Sequence, residues 1–481
     1  MSAADLRELL AVRPVPGQPR TYHFPTFERT VLPNGLQVLV VHVPGRPLVT
    51  AELVVRLGAG DEPPAWGGAT VLAARALSEG TERYDAIALT EAAERLGATL
   101  HGEASWDAFA ATVEVPAERL APALELLAEM ALRPTFPATE VDRLRDERLN
   151  DLLQARADPR RRAEEAFADS IYTAASPYHR PAAGLEETVA GLGPDELRAV
   201  HRRAVDPSRA AVIVGGDLAG LDVPGLVGSL FGGLAATPDP AEPDGVVAES
   251  AIERTFVRLV HRPGSVQSEL RLGHPGVSRQ VPDFHATQVM AAILGGLFNS
   301  RLNMKLREEK GYTYGAGAGF DMRRGRGPFA ARAAVNTDAT APAIVDMLAE
   351  LSRIRETPVS DAELKAARDF LVGVFPLRFE TPGAVVGAIS GLVVHGLPDD
   401  ELARYRDRVE AVTAAHVRAA AEAHIHPERL AIVVVGDADV VARELEAADV
   451  GPVEIVRDQG PEVAATGEVA EVDEVGPTPD A

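Results

Sequence analysis

The chain of 481 residues contains no cysteine. Disulfides, thiolate zinc sites, iron–sulfur clusters and cysteine nucleophiles are therefore excluded. Lysine is almost missing too: only Lys305, Lys310 and Lys365 occur, so nearly all positive charge is arginine. Positive charge is also short in total, with 48 Lys and Arg against 71 Asp and Glu and a net charge of −23. A phosphate backbone is bound by clustered basic residues, and anionic membrane surfaces attract polybasic segments. Neither nucleic acid nor a membrane is thus an expected partner. No run approaches the ~18 apolar residues of a membrane span. The first sixteen residues carry Asp5, Arg7, Glu8 and Arg13 and lack the uncharged apolar core of a secretory signal. A cytoplasmic location is the expectation.

What is present describes a folded protein of more than one domain: 46% hydrophobic and 25% charged residues at this length. The chain repeats itself. Leu197-Arg198-Ala199 and the later run Pro207 to Asp217, which ends Val214-Gly215-Gly216-Asp217, match Val417-Arg418-Ala419 and Pro427 to Asp437, ending Val434-Val435-Gly436-Asp437. Asp217 and Asp437 stand 220 residues apart, as do Ala121-Pro122-Ala123-Leu124 and Ala341-Pro342-Ala343-Ile344. Arg145-Asp146 with Pro159, and Arg368-Asp369 with Pro382, repeat at a spacing of 223. A repeat this long is a duplicated domain, not a solenoid unit. The expected layout is a first half over 25–235, a Pro-rich acidic linker over 236–250, a second half over 251–445, and an acidic disordered tail over 446–481. From Pro461 onward the tail has acids and no basic residue.

Each half reads in the same order. Two apolar strands (36–43 and 50–57; 255–260 and 266–273) precede a helix (69–77; 286–294). Further strands follow (108–115; 329–335), then amphipathic helices such as 117–131 and 139–155, then a closing strand (210–215; 430–435). Strands followed by helices predict an α+β fold: two duplicated halves, each an antiparallel sheet with helices on one face.

The order of motifs then resembles the pitrilysin/insulinase-like family, the inverted zincins. The resemblance is carried by Leu32-Pro33-Asn34-Gly35-Leu36, Gly58-Ala59-Gly60-Asp61-Glu62-Pro63, Ser78-Glu79-Gly80-Thr81, Ser176-Pro177-Tyr178-His179-Arg180-Pro181, and Leu306-Arg307-Glu308-Glu309-Lys310-Gly311-Tyr312-Thr313-Tyr314. It implies two α/β-roll halves closed as a clamshell around an extended peptide. It also implies a zinc site, H-x-x-E-H, on the first helix just before Gly80-Thr81. Two His on adjacent turns hold zinc and the Glu activates its water. Here those positions are Val71, Ala74 and Arg75. Neither Val nor Ala ligates a metal or moves a proton, and an Arg repels a dication. The third ligand of the family falls near Asn150-Asp151, and a lone Asp151 is not a site.

No H-x-x-E-H or H-E-x-x-H occurs elsewhere. His424-Ile425-His426 would place two His on one face of a strand, but no third ligand is visible, and a loop role is the better reading. His179 reads as a loop packing residue. Gly315-Ala316-Gly317-Ala318-Gly319 lacks the Lys-Ser/Thr of a phosphate loop and reads as a strand.

The resemblance implies that an Arg and a Tyr of the second half contact the substrate backbone, and Arg307 and Tyr314 match them, with Tyr312 competing for the role. A guanidinium or phenol aimed at a peptide carbonyl steadies the oxyanion formed on hydrolysis. The leading expectation is therefore a non-catalytic subunit without zinc of its own. It would pair with a homologous H-x-x-E-H subunit that carries the zinc, bind extended peptides, and lend Arg307 and Tyr314. A scaffolding protein without proteolysis is the alternative, as respiratory-complex core subunits resemble this family. A peptidase with unorthodox ligands such as His101, Asp107 and Asp151 ranks last.

Overall fold

The computed structural model describes residues 21–235, 246 and 248–457. In the first half, strands β1 (Phe27–Val31), β2 (Gln37–His42), β3 (Leu48–Val55), β4 (Thr99–Ala104), β5 (Phe109–Pro116) and β6 (Ala210–Gly216) form a six-stranded sheet in the order β1-β2-β6-β3-β5-β4. In the second, β7 (Phe256–His261), β8 (Gln267–Pro275), β9 (Ala316–Phe320), β10 (Pro328–Asn336), β11 (Ala431–Gly436) and β12 (Val453–Val456) take the order β12-β7-β11-β8-β10-β9. Helices of seven residues or more in the first half are α1 (Ala69–Arg75), α2 (Ala86–Leu96), α3 (Leu120–Leu132), α4 (Ala138–Ala157), α5 (Pro159–Ile171), α6 (Pro194–Ala204) and α7 (Val223–Phe231). The second half contributes α8 (Phe284–Ala291), α9 (Thr340–Glu356), α10 (Asp361–Val374), α11 (Pro382–His395), α12 (Ala414–His424) and α13 (Ala438–Ala447). No single helix among the described residues is long and apolar enough to cross a membrane.

The duplication is therefore an architecture: two α+β halves that share the order of five strands and differ in the sixth, outermost one. The sheets are mixed, not purely antiparallel as expected. β6 runs parallel to β2, and β11 parallel to β7. Each of these strands returns after a long helical excursion, and only such a crossover can deliver a parallel neighbour.

The helices are also not confined to one face. β6 and β11 are buried on both sides, which is why they read as unbroken apolar runs. One face of each sheet packs on its own half's helices. The other face is covered by a helix from the opposite half. Val385, Val386, Ile389, Val393 and Val394 of α11 pack on Leu39, Val41, Val54, Ala211 and Ile213 of the first sheet. Ala163, Ala166, Phe167 and Ile171 of α5 pack on Ala431, Val433 and Val435 of the second. Each fully buried Val or Ile contributes about 1.5–3 kcal/mol. The five on α11 thus outweigh any single ion pair in joining the halves.

The expected boundaries shift accordingly. The 446–481 segment is not all tail, because β12 pairs in parallel with β7 and extends the second sheet to Val456. Four residues are too few for periodicity to announce a strand inside an acidic stretch. The residues from 458 onward lie outside the described residues. So do 236–245 and 247 of the expected linker, whose end, Ser250, bridges to Tyr172.

Candidate functional site: a degenerate metal position beside an inter-half cavity

Helix α1 is held firmly at its N-terminus. Gly68, at φ +98°, turns the chain into the helix. The buried Glu62 carboxylate accepts from the N–H groups of Gly68 (3.0 Å) and Thr70 (2.5 Å), and pairs with Arg180 at 2.7 Å. An anion there suits the helix dipole. Burial pushes the Glu62 carboxyl up while Arg180 opposes the rise. Further along, Ala74 is fully buried on β4, where a Cβ on Gly102 would lie 2.1 Å from the Ala74 carbonyl oxygen.

The positions expected to grip a metal therefore point as follows. Val71 is half-buried and Ala74 is sealed under β4. Arg75 is exposed and pairs with Glu147 of α4 at 3.2 Å. Val71 and Arg75 share a cleft with Arg148 of only about 10 Å³, barely the space of one water. Asp151 is held by Arg148 (2.5 Å) and Arg161 (2.7 Å). The hydrogen bond from Arg161, with the charge of Arg148, holds its carboxyl below the usual range. A dication here would face two guanidinium groups, one aliphatic side chain and a carboxylate already spent. The residues present do not fit zinc.

Nor do the unorthodox ligands assemble. His101 is exposed on β4. Asp107 is buried and accepts from the backbone N–H of Arg324 (2.9 Å). One group with ligating geometry exists among the described residues, His261 with Asp437 and Asp439. Its His261 Nδ1 accepts the N–H of Ala438 (3.1 Å), as His42 Nδ1 accepts that of Leu218 (3.2 Å) in the first half. The duplication shows this to be a cap on the segment after the last core strand. His424 and His426 do not chelate: His424 ends α12 and pairs with Asp283 at 2.9 Å, while His426 lies against the ring of His274. His179 Nδ1 bonds the Ser176 carbonyl at 2.8 Å within its loop.

In the second half, two π-helical turns, Ala292–Gly296 and Met304–Glu309, carry the segment before β9. Such turns re-aim side chains. Arg307 lies on the second, 4.4 Å over the exposed ring of Phe298 and 3.6 Å from Glu308. Tyr314 is 93% exposed, whereas Tyr312 packs on the second core. Arg307 and Tyr314 line neither the cleft at Val71 and Arg75 nor the cavity at Asp151.

The halves enclose a cavity of about 770 Å³ between α4, α5, β9 and β10. Arg148 lines both this space and the cleft at Val71. The loop between β9 and β10 reaches across it. Arg324, itself half-buried, donates to the little-exposed carboxylates of Asp61 (2.5 Å) and Asp107 (3.4 Å) of the first half. Gly325 N–H donates to the Tyr178 hydroxyl (3.3 Å), and the Tyr172 hydroxyl donates to the Arg326 carbonyl (2.8 Å). Burial raises both phenols. Sequence reading missed this clamp. Its one signal was the run Arg323-Arg324-Gly325-Arg326-Gly327, which no periodicity singled out.

Fold and site together define a class: a two-half α+β roll of the zinc-peptidase type without a metal-binding helix. Comparison with known proteins agrees. The model of the insulinase family (peptidase family M16) matches residues 37–181, and that of the peptidase M16 inactive domain matches residues 191–371. The chain belongs to the M16 peptidase family. It is 26% identical to an uncharacterized zinc protease of Streptomyces coelicolor, over 76% of this chain and 80% of that one. It is 23% identical to the non-peptidase homolog YmxG of Helicobacter pylori, over 69% and 76%. Among solved structures, a peptidase M16 inactive domain from Pseudomonas fluorescens superposes with a TM-score of 0.79 at 24% identity, covering 86% of this chain and 98% of that one. A protease from Helicobacter pylori gives 0.77 at 18%, covering 85% and 99%.

Proposed function

We propose that this chain is the non-catalytic subunit of a heteromeric zinc peptidase of the cytoplasm. It holds an extended peptide and lends Arg307 and Tyr314 to the site of a homologous subunit bearing H-x-x-E-H and the zinc. One contrast on one scaffold carries the reading. α1 keeps its place but presents Val71, Ala74 and Arg75, while Tyr314 keeps a phenol 93% exposed that serves no packing in this chain. An exposed sheet edge supplies backbone hydrogen bonds to a peptide with little demand on its sequence. Arg307 and Tyr314 would donate to the carbonyl oxygen as charge develops on it.

The test mixes the purified chain with an H-x-x-E-H homologue and follows cleavage of a quenched fluorescent peptide. Cleavage is expected from the mixture and not from this chain. Arg307→Ala should lower kcat by about 10²-fold, the scale of one lost oxyanion donor. A mixture whose rate ignores Arg307→Ala overturns the composite site. A scaffolding role is the second reading, favoured by the exchanged helices α5 and α11, which make the halves one body. A complex that forms with its partner yet binds no peptide would establish it.

A further inference from the structure

The inter-half cavity has an uneven charge balance. Its wall carries Asp151, Glu164, Glu165 and Asp321 against five arginines. Every carboxylate is taken. Asp151 pairs with Arg148 and Arg161, and Glu164 with Arg271 at 2.8 Å. Glu165 pairs with Arg162 at 3.9 Å, and Asp321 with Arg323 at 2.6 Å. Arg180 is neutralised by the buried Glu62. Arg332 is left over: among the described residues no acid, hydroxyl or carbonyl pairs with it. In a chain of net charge −23, this wall has one guanidinium more than it can match.

The backbone displays that guanidinium. Arg332 on β10 stands opposite Arg271 on β8 and Gly317 on β9, on the face that α5 covers farther along. At Gly317 a Cβ would lie 3.6 Å from Arg332 Nε, an ordinary contact, which places the guanidinium stem across the edge strand. Nearby on the same wall, Arg323 is fixed between the rings of Trp106 (4.6 Å) and Tyr178 (4.5 Å). Its buried Nη1 has no hydrogen-bond partner. Arg323 is thus spent on the rings and on Asp321, and Arg332 is the guanidinium the wall leaves available to the cavity.

We infer that the cavity selects peptides bearing a carboxylate, which Arg332 receives as a charge-assisted, two-pronged pair. A guanidinium matches a carboxylate with two parallel N–H groups, which an ammonium cannot do. The carboxylate is that of an acidic side chain or of a peptide C-terminus. This rests on the reading that the chain holds peptides, and adds their charge class.

The test measures binding of fluorescein-labelled octapeptides to the full chain by anisotropy at low salt. The peptides are C-terminally amidated and carry two Glu, two Gln or two Lys at the same positions. A fourth has two Gln and a free C-terminus. The Glu peptide should bind about tenfold more tightly than the Gln peptide, and the Lys peptide more weakly than either. If the free-terminus Gln peptide matches the Glu peptide, the carboxylate received is the chain end. Arg332→Ala should abolish the discrimination, and Arg332→Lys should keep a weaker, salt-sensitive part. Arg332 is exposed and has no partner to lose among the described residues, so both variants should fold. A Glu preference that survives Arg332→Ala overturns the inference. So does equal binding of all peptides, which leaves the peptide-holding reading intact. Failure of every peptide to bind removes that reading as well.

Discussion

In the first half, α1 settles onto edge strand β4 because Gly102 of the strand has no side chain: a Cβ there would meet the Ala74 carbonyl at 2.1 Å. In the second half the equivalent strand position is Ala318, and the glycine has moved to the helical side, where a Cβ on Gly295 would lie 2.0 Å from the Ala318 nitrogen. Equivalence follows from register, since Gly102 pairs with Ala111 and Ala318 with Ala331, both buried on the helix side. The outermost strands differ in the same spirit. β1 precedes β2 and lies antiparallel to it, whereas β12 ends the second half and lies parallel to β7. Either device covers a sheet edge that would otherwise expose unpaired backbone. The repeat thus preserves the contact and lets its chemical origin drift. Asymmetry with consequence appears where one half touches the other. The β4–β5 connection is the four residues 105–108, while β9–β10 is connected by the seven residues 321–327. That longer loop carries the clamp.

Removing the clamp should give the largest effect. Arg324→Ala leaves Asp61 and Asp107 buried without their cation, a loss of roughly 3–5 kcal/mol. Urea unfolding should shift by that amount, and the two halves, still tied by α5 and α11, should begin to unfold at separate midpoints. An unshifted single transition would show that the exchanged helices alone unite the halves. Next come the two glycines. Gly102→Ala and Gly295→Ala each force a methyl into a backbone atom, so each should cost about 1–3 kcal/mol or more. Similar losses would confirm one contact solved twice. Tolerance of either would mean that its helix can lift off the edge strand, breaking the equivalence.

Much of this was legible beforehand. The buried strands β2, β3, β6, β7, β8 and β11 stand within a residue or two of where their apolar runs placed them, because burial on one or both faces leaves a clear pattern. The degenerate helix was legible from Val71, Ala74 and Arg75 counted against Gly80-Thr81. The edge strand β9 was read from Gly315–Gly319, but the edges of the first sheet were not: β1 is exposed along nearly its whole length and β4 alternates exposed with half-buried residues, so both resemble loops in composition. The helix exchange was also invisible: α11 is apolar on most sides, which says that it is buried but not in which half. Arg332 and Arg324 illustrate the same limit. Both look like surface arginines; Arg332 is indeed exposed, and only the fold shows that it lines a cavity, while Arg324 is held between two aspartates.

The most gradual effect, spread over several pH units, separates the halves by pH. At the position where Val55 faces Phe109 in the first sheet, the second has His274 facing Phe329. His274 Nδ1 lies 3.0 Å from the Pro275 carbonyl, and its Nε2 accepts the N–H of His426 at 3.1 Å. Both nitrogens are satisfied only in the neutral ring, and burial pushes the imidazole down to about 4 from 6.5. An unfolded chain takes up this proton near 6.5, so below that pH the unfolded state gains what the folded state refuses. Stability should therefore fall with acidification from about pH 6.5 to about 4, at up to ~1.4 kcal/mol per pH unit from this residue. In His274→Val, which gives the second sheet the residue type of the first, that part of the slope should vanish, although the variant starts less stable because the His426 N–H loses its acceptor. Parallel slopes for the two proteins between pH 6.5 and 4.5, measured by urea unfolding, would mean that the ring is protonated in the fold and that the sheets do not differ in this respect.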